Sequence, residues 1–136
     1  MQGIHNAEAR IAIRGESDVA RAIVQARRMS QAAAFQTVDQ SRIATTVSEL
    51  ARNILKYAGQ GEVILRGCVG ATRRGMEIIA EDSGPGIADT DSALSDHYSS
   101  GGTLGLGLPG VQRMMDEFAL ESEPGAGTRV TVRKWL

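Results

Sequence analysis

The sequence predicts a two-layer α/β sandwich, with helices covering one face of a mainly antiparallel sheet. Three observations carry this. Two long stretches before residue 60 repeat apolar residues at helical spacing. Two β-branched runs then flank a short polar turn. A third helix-like segment leads into a last pair of runs around Pro124-Gly125. At 136 residues the chain reads as a single domain over 1–136, long enough to bury a core.

Each element has its own signal. Residues 1–8 read as a loose terminus. Arg10-Ile11-Ala12-Ile13-Arg14 alternates polar with apolar, the pattern of a half-buried strand. Gly15 breaks it, and Ser17 or Asp18 is suited to cap a following helix. Val19, Ile23, Ala26, Met29 and Ala33 give that helix one apolar stripe. Thr37 with Gln40 reads as a capping box for a second helix. There Ile43, Val47, Leu50, Ile54 and Tyr57 recur at steps of four and three. Gly59 stands where a left-handed residue would end it.

Residues 62–68 and 76–81 then form a predicted hairpin about the polar stretch 70–75. Residues 83–108 have no periodic pattern and carry Gly, Ser and Asp, the mark of a functional or mobile loop. Within them, residues 88–104 are expected to order on ligand binding. Pro109 suits the first turn of a helix, where its missing N–H is not needed. Val111, Met114, Met115 and Phe118 supply that helix with a core face. Residues 119–123 and 127–134 close the fold as a strand pair.

Composition excludes several classes. Fifteen basic and 16 acidic residues leave a net charge of −1, without the basic excess that a nucleic-acid backbone requires. The pairs Arg27-Arg28 and Arg73-Arg74 are expected on solvated surface. A single cysteine, Cys68, excludes an internal disulfide framework and reads as a small core residue. No apolar run approaches a membrane span and no stretch reads as a signal peptide, so a soluble, cytoplasmic chain is expected. Neither His5 nor His97 has neighbours at metal-ligand spacing.

Three segments carry candidate chemistry. Glu49 and Asn53 are four apart and share one helix face, rotated from the Leu50–Ile54 stripe. They can edge a pocket while the helix stays packed. Glu49 could take a hydroxyl proton. Asn53 offers an amide oxygen to Mg²⁺, which binds through oxygen ligands and phosphates. Lys56, one turn on, could approach a phosphate. Asp82 ends an apolar run beside Gly84-Pro85-Gly86, where a carboxylate can accept a base amino group and glycines permit close backbone approach. Gly101, Gly102, Gly105 and Gly107 lead into a helix whose N–H groups can hold anionic phosphate. Each segment alone is compatible with ordinary polar surface or a plain turn.

Gly105-Leu-Gly107-Leu-Pro-Gly110 also fits the dinucleotide fingerprint, but the context does not. No strand leads directly into it, and no Asp follows about 20 residues on. A P-loop motif is absent.

The order and spacing of these segments resemble the N, G1 and G2 boxes of the GHKL ATPase and kinase superfamily. The likeness extends over nearly the whole chain. It is close to the small bacterial switch serine/threonine kinases of the RsbT type, in the anti-sigma-factor-kinase branch. Residues 39–53, Ile79-Ala-Glu-Asp82-Ser-Gly-Pro-Gly-Ile87 and Gly107-Leu-Pro-Gly-Val-Gln-Arg-Met-Met-Asp-Glu-Phe118 carry it. The resemblance implies a Bergerat ATP-binding fold, with ATP and Mg²⁺ bound. It implies that Glu49 is the general base, Asn53 the magnesium ligand and Asp82 the adenine-reading carboxylate. Gly84 and Gly86 match the G1 glycines, and Gly102, Gly105 and Gly107 fall in the phosphate loop. Thr128 matches a threonine that holds adenine through water.

It further implies a protein serine/threonine kinase that phosphorylates a STAS-domain antagonist in a stressosome-type partner-switching pathway. Such members also activate a PPM-type phosphatase by binding. A second reading is a nucleotide-gated docking module or anti-sigma factor. The intact Glu49 favours the kinase, since binding alone does not need it. A detached histidine-kinase domain is disfavoured, because no helix hairpin with a phosphoacceptor histidine accompanies the boxes.

Overall fold

Ala9, Ile11 and Ile13 alternate with Glu8, Arg10 and Ala12, and this period of two puts the apolar set on one face of strand β1 (Glu8–Ile13). The computed structural model describes residues 7–84 and 107–136. The strand starts earlier than the sequence suggests, because Gly67 N–H donates to Ala7 O and extends the ladder.

Helix α1 (Glu16–Ala32) begins at Gly15, ahead of both capping residues proposed from sequence. Asp18 lies inside its first turn and reaches back. Its Oδ2 accepts the N–H groups of Arg14 at 2.8 Å and Gly15 at 3.1 Å. Its Oδ1 accepts Arg21 Nη2 at 2.7 Å. The Arg21 hydrogen bond, followed by that from the Arg14 amide, holds the Asp18 carboxyl below its usual range. A depressed carboxyl stabilises the fold above the ordinary aspartate pKa and loses that contribution as pH falls through the lowered value. The first-turn amides of α1 are therefore expected to lose protection, relative to their intrinsic exchange rate, below that value. Asp18→Asn should remove this part of the acid dependence, and amide exchange against pH checks it.

Val19, Ala26, Met29 and Ala33 are buried as expected, and Ala22 joins them. Ile23 is half-buried at the edge of the core. Residues 33–36 turn the chain, with Ala34 at φ +67° and Phe35 anchored in the core.

Helix α2 (Thr37–Tyr57) has Gln36, not Thr37, at its N-cap position, without a side-chain capping bond. Gln40 instead donates its side-chain N–H to Phe35 O at 2.8 Å, bracing the turn. Ile43, Val47, Leu50 and Ile54 are buried. Tyr57 departs from the stripe and is 40% exposed, its ring 5.2 Å from Lys56 Nζ. Gly59, at φ +84°, donates to Ile54 O and ends the helix as expected.

Strands β2 (Gly61–Val69) and β3 (Arg74–Asp82) form the hairpin, each longer than predicted. Pro109 lies in the first turn of helix α3 (Gly107–Met114). Phe118 does not belong to that helix. The chain leaves it at Met114, and Phe118 lies in strand β4 (Glu117–Glu123), which pairs with β5 (Gly127–Trp135).

The sheet order is β1-β2-β3-β5-β4, antiparallel at every step. One face carries Ile11, Ile13, Val63, Leu65, Met76, Ile78, Val130 and Val132, which join the core with residues of α1, α2 and α3. The predicted two-layer sandwich is the observed one. Cys68 lies on the opposite face, half-buried across from Gly75, rather than in that core. Both arginine pairs are exposed.

The opposite face carries a charged row. By register Glu8, Arg66, Glu77, Arg133 and Glu117 stand side by side across all five strands. Glu77 is 4% exposed, and its oxygens accept Arg66 Nε at 2.6 Å and Arg133 Nε at 2.7 Å. Arg133 Nη1 continues to Glu117 at 2.8 Å. A buried carboxylate is tolerated because two guanidinium groups satisfy it.

Candidate functional site

Glu49 and Asn53 lie on α2 and are half-buried, on the flank beside the core stripe. This is the placement their spacing predicts. Asp82 is the last residue of β3 and pairs in register with Thr128 near the start of β5. Both side chains share the helix side of the sheet with Ile13 and Gly61, their register neighbours.

Glycines let the backbone close around Asp82. A Cβ on Gly61 would lie 2.8 Å from Ile54 Cγ2 and 3.1 Å from Asp82 Cβ, so this end of the sheet meets the last turns of α2. A Cβ on Gly84 would lie 2.6 Å from Ala58 Cβ. A Cβ on Gly127, at φ +98°, would overlap the Asp82 carbonyl oxygen. Only glycine fits these approaches.

Asp82 Oδ1 accepts the Gly84 N–H at 2.8 Å, which fixes the carboxylate in a tight turn. Its second oxygen remains able to accept from a ligand. Thr128 Oγ1 shares a 2.9 Å hydrogen bond with Ser122 Oγ, which also lies 3.1 Å from Gly127 O. Ser122 has one hydroxyl hydrogen. Directed at Gly127 O, it makes Thr128 the donor of the shared bond and leaves Thr128 lone pairs to accept.

The far end of the site is at the start of α3. Gly107, at φ +67°, donates its N–H to Glu49 Oε2 at 3.4 Å. A helix N-terminus, whose dipole favours negative charge, thus adjoins the α2 carboxylate. Glu49 and Ala58, the residue that follows α2, are nine residues apart, about 14 Å at the usual helical rise. The arrangement suits an elongated ligand, with a carboxylate and a hydroxyl at one end and a helix N-terminus at the other. Lys56 sits in the last turn of α2, exposed beside Tyr57. Gly86, Gly102, Gly105 and the loop 88–104 lie outside the described residues.

Two residues on the strands behind the site escaped the sequence reading. Ser122, which orients Thr128, follows no motif and is recognisable only once β4 and β5 are paired. Lys134 is a buried lysine among alternating strand residues, and the position of its charge on the buried phase was its only signal.

Residues 38–136 match the family model of histidine kinase-, DNA gyrase B- and HSP90-like ATPases. The chain is 45% identical over 131 residues to the serine/threonine-protein kinase RsbT of Bacillus subtilis, covering 96% of this chain and 98% of that protein. It is 31% identical over 100 residues to the anti-sigma F factor of Caldanaerobacter subterraneus, covering 69% and 68%. Among solved structures, a chain of the SiaB–SiaC complex from Pseudomonas aeruginosa superposes with a TM-score of 0.61 at 13% identity, over 99% of this chain and 92% of that one. That likeness is one of fold.

Proposed function

We infer, from the premise that this chain belongs to the family of histidine kinase-, DNA gyrase B- and HSP90-like ATPases, that it acts as a partner-switching kinase. It is an ATP-dependent protein serine/threonine kinase. Its proposed substrate is a serine or threonine on a STAS-domain antagonist, in the cytoplasm, within a stressosome-type pathway. Released from that partner, it would activate a PPM-type phosphatase by binding.

The observation that carries this reading is the convergence of Glu49 with the α3 N-terminus at one end and Asp82 with Thr128 at the other. In it Asp82 accepts the adenine amino group and Thr128 acts through water. The Gly107 amide contributes to a phosphate cradle with Gly102 and Gly105, while Gly84 and Gly86 shape the base pocket and Lys56 approaches the phosphates. Asn53 would hold Mg²⁺, which neutralises phosphate charge when bound; its half-buried amide beside Glu49 suits an oxygen donor. Glu49 takes the proton from the acceptor hydroxyl as its oxygen bonds to the γ-phosphorus. The bond to the β-phosphate oxygen breaks and ADP leaves. Most of the acceleration comes from positioning and charge stabilisation.

Asp82→Asn tests the adenine end. It replaces an acceptor with a group that also donates, and ATP affinity is expected to weaken by about 1–3 kcal/mol. Calorimetry with a non-hydrolysable ATP analogue measures this. Unchanged affinity would remove Asp82 from the base pocket.

The second reading, a nucleotide-gated docking module, is favoured by the anti-sigma F factor relatives. Incubation with STAS-domain proteins and labelled ATP separates the two. Phosphate transfer supports the kinase reading, and ATP-dependent binding without transfer supports docking.

A further inference from the structure

Lys134 on β5 is 8% exposed, and its charge is not used by the site described above. Its Nζ donates to Met114 O at 3.1 Å and to Asp116 Oδ1 at 3.3 Å, and stands 3.7 Å from Asp39 Oδ1. Met114 is the last residue of α3, Asp116 lies in the link to β4, and Asp39 lies in the first turn of α2. Asp116 is itself held to β5. Its Oδ2 accepts the Trp135 N–H at 2.8 Å, and its own N–H donates to Arg133 O at 3.0 Å. One ammonium therefore joins β5, the C-terminus of α3 and the N-terminus of α2. Both helix ends carry the charge that their dipoles favour.

The position of α3 depends on such anchors. A helix of eight residues is too short to persist without tertiary support. Leu108, Val111 and Met115 bury its apolar side, but apolar contact is non-directional and does not fix where the helix sits along its axis. The hydrogen bonds from Lys134 are directional and act at the C-terminal end. The other end, about 12 Å away along a rigid helix, carries the Gly107 amide that reaches Glu49.

We propose that Lys134 is a positioning residue for the triphosphate: it clamps the C-terminus of α3 to β5 and α2, and so sets the α3 N-terminus in register with Glu49 and Asn53. This rests on the reading of the site as an ATP site. Asp82 and Thr128 stand on β3 and β5 and do not depend on α3, so the base end should be insensitive to the clamp.

The test compares a non-hydrolysable ATP analogue with adenosine by calorimetry, in the wild-type chain and in Lys134→Met. The analogue is expected to bind the variant about tenfold or more weakly, since small misplacements of positioned groups have effects of that size or larger. Adenosine affinity is expected to hold. A structural role alone would reduce folded protein for both ligands equally and leave their affinity ratio unchanged, which would overturn the proposal. If the wild-type chain binds neither ligand, the ATP reading fails instead. Should Lys134→Met not fold, hydrogen exchange on the wild-type chain decides. The analogue, but not adenosine, is expected to slow exchange at the Asp116 and Trp135 amides beside the clamp. No such difference would overturn the proposal.

Discussion

Glu49→Gln is expected to slow phosphoryl transfer to the partner by about 10²–10⁴-fold, the usual contribution of a positioned base. ATP and partner binding should persist. Glutamine keeps the shape of the side chain and can still accept the Gly107 N–H, which Glu49 Oε2 meets at 3.4 Å. It cannot take the hydroxyl proton. Single-turnover phosphorylation, with a pull-down of the same variant, measures both properties. Transfer at the wild-type rate would show that Glu49 is not the base.

Gly127→Val is expected to cost about 3 kcal/mol or more of stability and to abolish adenine binding. Two effects combine at this position. The φ of +98° is strained for any L side chain, and an added Cβ would drive into the Asp82 carbonyl oxygen. β3 and β5 would have to part where Asp82 and Thr128 are paired. Gly125→Ala is the control. Its φ is +82°, but a Cβ there meets nothing within 4 Å, so about 1–2 kcal/mol of backbone strain is expected. Urea unfolding of both variants, with adenosine titration, checks the pair. Equal losses would mean that the close approach to Asp82 is unimportant.

What the sequence made legible was local. The Ile43–Ile54 stripe, the β2–β3 hairpin, the Gly59 cap and the β4–β5 pair each depend on neighbours in the chain. The pairing of β3 with β5 does not, because α3 and more than 40 residues separate their ends, and no periodicity encodes a distant partner. The misplaced residues have specific causes. Phe118 continues a helical spacing from Met114, but Asp116 makes three hydrogen bonds to β5 and draws the chain into a strand. Tyr57 fits the stripe by count, yet α2 ends with it and the ring lies outside the core. Thr37 and Gln40 have the right types for a box, but Gln40 found the Phe35 carbonyl instead. Of the proposed site residues, Glu49, Asn53 and Asp82 were named from their spacing. Ser122 bonds Thr128 only six residues on but follows no motif, and Lys134, which reaches back to Met114 and Asp116, showed only as a charge on the buried phase.

The charged row across the sheet has a consequence for how the strands find one another. Slipping β5 by one residue against β3 would turn its apolar residues outward, and the core itself forbids that. Slipping it by two keeps every apolar residue inward, so the core is blind to the mistake. The row is not. A two-residue slip moves Arg133 from Glu77 to a place opposite Ile79 or Gly75, and leaves a buried carboxylate facing Thr131 or Trp135. The same shift between β2 and β3 separates Arg66 from Glu77. The alternation Glu8, Arg66, Glu77, Arg133, Glu117 thus works as a parity check on assembly, rejecting the misfolded alignments that hydrophobic patterning would accept.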